Sequence, residues 1–127
     1  MSIPGFFTAS EAFTAIHAGA DYLKLFPAAL GPGYVKALKA VVKKPILAVG
    51  GVNAANLPDF MKVCAEAGIG SALYKAGKSL DDLDRDAADM VAAVRGTDRN
   101  TESLSEMSKL FCIWLCRKTH HADITVL

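Results

Sequence analysis

The stretch Tyr22-Leu23-Lys24-Leu25-Phe26-Pro27-Ala28 sets a lysine inside an apolar run of β character and follows it closely with a proline. Proline has no N–H to give to a sheet ladder, so a strand over residues 21–26 stops there. Alternation along that strand puts Tyr22, Lys24 and Phe26 on one face and Leu23 and Leu25 on the other. The amine then points into a space bordered by aromatic side chains. Desolvation there disfavours the ammonium and leaves a neutral amine. Such an amine attacks a ketone to form an iminium, which withdraws electrons from the neighbouring carbon and permits carbon–carbon cleavage without a metal. The same pattern also fits a strand-end lysine whose stem covers apolar surface while its head reaches water. Spacing alone does not choose between these readings.

Outward from this strand, apolar runs recur at residues 45–49 and 67–73, separated by helical patterns, which reads as repeated β/α units. Ser10 is expected to cap a helix through about His17 that Gly19 ends. Gly33 is expected to open a helix over 34–42 with Val35, Leu38 and Val42 on one face. Asn53 suits the cap of a helix over about 54–66, and Ser79-Leu80-Asp81-Asp82 starts one that runs to about Arg95. Strands separated by helices pair in parallel with right-handed crossovers. Short apolar strands such as 46–49 fit either a doubly wound sheet or a (β/α) barrel.

The 127 residues, 52% hydrophobic, suffice for one domain with a real core. Fourteen basic against 13 acidic residues give net +1 with no long run of like charge, which disfavours nucleic acid and anionic membrane as partners. No apolar stretch approaches the roughly eighteen residues of a bilayer span, and Met-Ser-Ile-Pro-Gly lacks the features of a signal peptide. A cytoplasmic protein with reduced thiols is expected, since Cys64, Cys112 and Cys116 do not form a secreted disulfide framework. Beyond Arg95 the chain turns polar and linker-like over 96–103, then amphipathic over 104–117.

Two further places can carry chemistry. Val49-Gly50-Gly51-Val52-Asn53 and Gly68-Ile69-Gly70-Ser71 both run a strand into glycines, which let an anion approach backbone N–H groups near a helix N-terminus. Either pair alone is equally a tight turn or a close helix–strand contact. Ala76-Gly77-Lys78-Ser79 imitates the end of a P-loop but has Ala72 where that motif needs glycine. Cys112, Cys116 and His120 can share a helical face but match no accepted zinc spacing, so no metal is expected.

Taken together, Pro4-Gly5-Phe6-Phe7-Thr8, the run from Ala18 to Ala28, Val49-Gly50-Gly51-Val52 and Gly68-Ile69-Gly70-Ser71-Ala72-Leu73-Tyr74 resemble the later strands of the 2-keto-3-deoxy-6-phosphogluconate/galactonate class I aldolase family. The resemblance covers about residues 3–95. Leu25, Val49 and the Gly-Ser-Ala-Leu-Tyr run make it more similar to the phosphogalactonate branch. It implies an α/β fold: a partial (β/α)8 TIM-barrel-like unit, about the last four β/α units, over 1–95, then a non-matching tail over 96–127. It implies Lys24 as the Schiff-base lysine, Phe26 against the pyruvyl part, Pro27 and Val49 bordering the substrate, and Gly50, Gly51, Gly70 and Ser71 on the phosphate. It also implies reversible cleavage of 2-dehydro-3-deoxy-6-phosphogalactonate to pyruvate and D-glyceraldehyde 3-phosphate with no cofactor. Family members are trimeric, and a dimer suits a half barrel.

The family's first strands supply an arginine for the carboxylate and a glutamate for proton transfer, and Met1 here stands ahead of what corresponds to strand five. Those partners are expected to be missing, with Glu11 and Glu66, both read as helical, unable to replace the base. General acid–base help is worth about 10²–10⁴ in rate. Two other readings therefore stand beside the aldolase: a catalytically deficient aldolase fragment, and a β/α module that binds a phosphorylated ligand with Lys24 structural.

Overall fold

Four short strands alternate with four helices in the computed structural model, which describes residues 1–95. The order is β1 (Gly5–Phe6), α1 (Ala9–His17), β2 (Leu23–Leu25), a 3₁₀ turn (Ala28–Leu30), α2 (Gly31–Val41), β3 (Ile46–Val49), α3 (Leu57–Met61), β4 (Glu66–Gly68) and α4 (Leu80–Arg95). The strands form one sheet in the order β1-β2-β3-β4, every pair parallel. The linker expected over 96–103, the helix over 104–117 and the Cys112, Cys116 and His120 group lie outside the described residues.

Alternation decides what the sheet buries. Leu23 and Leu25 are fully buried, as are Ile46 and Ala48 beside them, and all four join one apolar cluster with Phe6. Ala12 of α1, Val35 and Leu38 of α2, Leu57 and Phe60 of α3 and Met90 of α4 complete that cluster. All four described helices thus cover the same face of the sheet, whereas a doubly wound sheet carries helices on both faces. Val35, Leu38 and Val42 are buried together as their spacing predicts.

Several helix boundaries differ from expectation, each for a local reason. Thr8, rather than Ser10, caps α1: its hydroxyl accepts from the Glu11 N–H while the Glu11 carboxylate accepts from the N–H groups of Thr8 and Phe7. Helix α2 opens at Gly31 rather than after Gly33, because Gly31 has φ +79° and Pro32 suits a first turn. Of the helix expected over 54–66, only Leu57–Met61 forms. At its start the Asn53 side chain accepts from the N–H groups of Ala55 and Asn56, while Asn56 accepts from the Asn53 N–H, closing a separate turn ahead of Pro58. At its end Ala65 donates to Ile46 O and the chain enters the sheet, so Glu66 lies on a strand and not on a helix.

Strand β4 is correspondingly earlier and shorter than the expected 67–73. The Gly70 carbonyl accepts from both Leu73 and Tyr74, which folds residues 70–74 into a turn and takes Ser71 off the ladder. Helix α4 begins as read: Ser79 Oγ accepts from the Asp82 N–H and donates to its carboxylate. Among the described residues no helix is long and apolar enough to cross a membrane.

Candidate active site

Lys24 is the middle residue of β2. Its backbone N–H donates to Pro4 O at 2.9 Å, and the ladder sets it opposite Gly5 on one side and Leu47 on the other. Leu23 and Leu25 point to the helices, so Lys24 points to the opposite face, which no described helix covers, and is half-buried there. Gly5 leaves room for its stem: a β-carbon on Gly5 would lie 3.6 Å from Lys24 Cε. The stem therefore passes over Gly5.

Phe26 lies two residues further along on the same face, and the Phe26–Pro27 peptide is cis. Its ring rests on Gly50. A β-carbon there would come within 2.8 Å of Phe26 Cε2 and 3.4 Å of Pro27 Cα, at a φ of +84° that side chains rarely adopt. Gly51 follows at φ +83°. The Gly50 carbonyl accepts from the Ala28 N–H at 3.0 Å, so the chain after β3 is tied to the chain after β2. Packing and backbone conformation thus demand the first glycine pair, whatever it binds.

A cavity of about 400 Å³ opens at this end of the sheet, lined by Phe26, Val49, Gly50, Gly51, Val52, Asn53, Gly68, Gly70, Ser71, Ala72 and Lys75. Six of the residues singled out in the sequence meet here: Phe26, Val49, Gly50, Gly51, Gly70 and Ser71. Lys24 and Pro27 do not line it. The turn on Gly70 leaves the N–H groups of Gly70, Ser71 and Ala72 without an acceptor among the described residues. N–H donors left without an acceptor beside a lysine suit an anion. The helix N-terminus expected at this place is absent from the lining: α4 begins later, at Leu80, and its first turn is already capped by Ser79 and carries Asp81 and Asp82.

Lys75 was not singled out from sequence. The available signal was its position directly after the Gly70-to-Tyr74 stretch, where a strand end hands over to a loop. Lys78, from the P-loop imitation, is bound elsewhere: it donates to Leu73 O and pairs with Asp86 of α4, which fastens the loop to the helix. Glu11 is spent on the α1 cap, whose N–H groups, first that of Thr8 and then that of Phe7, hold its carboxyl below the usual range. Burial pushes the Cys64 thiol up to about 11, against a weaker opposing pull from Lys39. Among the described residues no three His, Cys, Asp or Glu side chains group to hold a metal ion.

Comparison with known proteins bears on this arrangement. Residues 1–91 match the family model described as KDPG and KHG aldolase. Over 96 residues the chain is 52% identical to the 2-dehydro-3-deoxy-6-phosphogalactonate aldolase of Escherichia coli (strain K12), covering 72% of this chain and 47% of that one. It is 42% identical over 97 residues to the probable 2-dehydro-3-deoxy-6-phosphogalactonate aldolase of Rhizobium meliloti (strain 1021), covering 73% and 46%. A solved native KDPGal structure superposes with a TM-score of 0.70 at 49% identity, over 76% of this chain and 50% of that one. A thiamine phosphate pyrophosphorylase from Pyrococcus furiosus, at 24% identity and a TM-score of 0.61, shares the fold alone. The chain spans about half the length of the curated relatives it matches.

Proposed function

The chain belongs to the KDPG and KHG aldolase family, and from that membership we propose that it carries the Schiff-base half of a class I aldolase site. Its reaction is reversible cleavage of 2-dehydro-3-deoxy-6-phosphogalactonate to pyruvate and D-glyceraldehyde 3-phosphate. The observation that carries this reading is the placement of Lys24: a half-buried lysine on the sheet face that no described helix covers, two residues before the ring that borders the glycine-lined cavity. We also propose that residues 1–95 are four consecutive units of a (β/α) barrel, with the face opposite the described helices as its interior. Four helices on one side of a wholly parallel sheet support this.

In this mechanism Lys24 Nζ attacks the C2 carbonyl, and loss of water leaves an iminium. The C4 hydroxyl gives up its proton, the C3–C4 bond breaks, and its electron pair forms the C2–C3 double bond of an enamine while the iminium π pair moves to nitrogen. The aldehyde leaves with its phosphate. Protonation at C3 and hydrolysis release pyruvate and the free lysine. Gly50, Gly51, Gly70 and Ser71 with Lys75 hold the phosphate, and Val49, Phe26 and Pro27 border the carbon chain. The two relatives named for this substrate support the phosphogalactonate branch.

Reductive trapping tests the reading. Pyruvate with borohydride adds a pyruvyl mass on the peptide containing Lys24, and Lys24→Ala loses it. Phosphate binding in the cavity without any adduct at saturating pyruvate refutes the aldolase reading in favour of a phosphate-binding module. Strands β1 and β4 are the outer strands of the described sheet, each with one unpaired ladder edge. We propose that a homo-oligomer covers these edges, and a monomer by light scattering at micromolar concentration refutes that part.

A further inference from the structure

The ladder that holds Lys24 also fixes what shares its row. Gly5 pairs with Lys24, Lys24 with Leu47, and Leu47 with Glu66, so one line crosses all four strands. Residues in register on adjacent parallel strands point to the same side. Ala67 packs against the helix-side cluster, which puts Glu66 on the opposite face with Lys24. Lys24 and Glu66 are two strand steps of about 4.8 Å apart, roughly 10 Å between backbones, with their heads free to converge on a small molecule between them.

A second observation concerns the residue separating them. Leu47 is only 2% exposed, yet it is outside the cluster that the helices cover. It stands on the face opposite the helices, where its row neighbours are Lys24 and Glu66. Both are half-buried, and neither side chain has a hydrogen-bond or ion-pair partner among the described residues. An amine and a carboxylate flanking an apolar floor, neither committed to a structural contact, form a pair with chemistry to offer.

We propose that Glu66 is a catalytic carboxylate of this site, moving the proton at C3 of the substrate bound to Lys24; this rests on the iminium reading above. Lys24 Nζ and the C2 carbonyl of pyruvate give an iminium and one water. The Glu66 carboxylate takes a proton from C3. The C3–H electron pair becomes the C2–C3 double bond, and the C2–N π pair settles on nitrogen as a neutral enamine. Return of the proton to C3 reverses these movements and hydrolysis frees pyruvate and the amine. In the cleavage direction the same carboxylate takes the C4 hydroxyl proton as the C3–C4 bond breaks, and returns it to C3 of the enamine left when the aldehyde departs.

Pyruvate in deuterium oxide isolates this step from turnover, because methyl deuteration read by proton NMR needs only the iminium and a base. The full chain is expected to exchange the methyl protons above the background set by Lys24→Ala. Glu66→Gln is expected to keep the borohydride adduct at end point while exchange falls by about 10²–10⁴, the usual worth of a positioned acid–base group. Glu66→Asp, with a carboxylate drawn back by one methylene, is expected to fall between them. Exchange in Glu66→Gln within about threefold of the unsubstituted chain overturns the proposal, as does an unsubstituted chain that forms the adduct without exchange. No adduct in the unsubstituted chain overturns the iminium reading and this one with it. If Glu66→Gln also loses the adduct, Glu66→Asp decides: adduct with exchange slowed at least tenfold supports the role, and exchange unchanged overturns it.

Discussion

Replacing Gly50 with alanine is a demanding test of how the cavity is built. The added β-carbon meets Phe26 Cε2 at 2.8 Å and Phe26 Cδ2 at 3.0 Å, at φ +84°. A side chain in the left-handed region costs about 1–2 kcal/mol. Overlap in a packed site adds about 1–3 kcal/mol. The lower end applies to the overlap because the Phe26 ring is 55% exposed and can swing outward. We expect Gly50→Ala to destabilise by about 2–3 kcal/mol, a fall in Tm of about 8–24 °C for a domain of this size. Urea unfolding followed by circular dichroism measures it. The two contributions separate in a double-mutant cycle: with Phe26→Ala already present, Gly50→Ala should cost only the backbone share, about 1–2 kcal/mol. A Gly50→Ala cost below about 0.5 kcal/mol, the range of an ordinary surface change, refutes the geometry. A cycle additive within about 0.3–0.5 kcal/mol refutes the ring contact. Gly70→Ala is the control: nothing lies within 4 Å of its β-carbon and its φ is outside the left-handed region, so stability should hold within about 0.5 kcal/mol.

Further expectations follow from contacts away from the sheet row. Lys75→Ala should weaken inorganic phosphate binding by about 3–10-fold and flatten its salt dependence in calorimetry, and unchanged affinity removes Lys75 from the site. Lys78→Met, at a side chain only 17% exposed, removes the bonds to Asp86 and Leu73 O and leaves Asp86 only its longer pair with Arg85, and should destabilise by about 1–3 kcal/mol in urea unfolding. The folded Cys64 thiol lies above its usual value of 9.0, at about 11, so the neutral form is favoured: its stability contribution is full below pH 9 and is lost as pH rises through about 11. Alkylation read on the Cys64 peptide should accordingly be slow at pH 8 until the chain unfolds, and rapid native labelling contradicts the burial. The Glu11 carboxyl is held low by the α1 cap, so its contribution is present above the unfolded value and lost as pH falls through the folded one. The Tm difference between the natural chain and Glu11→Gln should shrink toward low pH, and a difference constant across pH contradicts the cap.

Alternation in Tyr22-Leu23-Lys24-Leu25-Phe26 and the capping residues Asn53 and Ser79 were legible in sequence because they act over two to four residues. That range suffices to say which side chains face a core and where an N–H finds an acceptor. The sequence by itself therefore determined the β/α alternation, the lysine set apart from the leucines beside it, and the glycine-rich ends of two strands, and with them the family. Other features depend on partners distant along the chain, and only the tertiary structure decided them. Which face of the sheet the helices cover follows from where Val35, Leu57 and Met90 meet, 22 or more residues apart. The fit of Phe26 on Gly50 needs two separate loops in contact. Register is the clearest case: Ala65 bonding to Ile46 O drew Glu66 out of its expected helix and into line with Lys24. Pattern within a strand fixes the face a side chain takes, but its row is fixed by hydrogen bonds to another strand, and the candidate proton carrier was hidden until those bonds were seen.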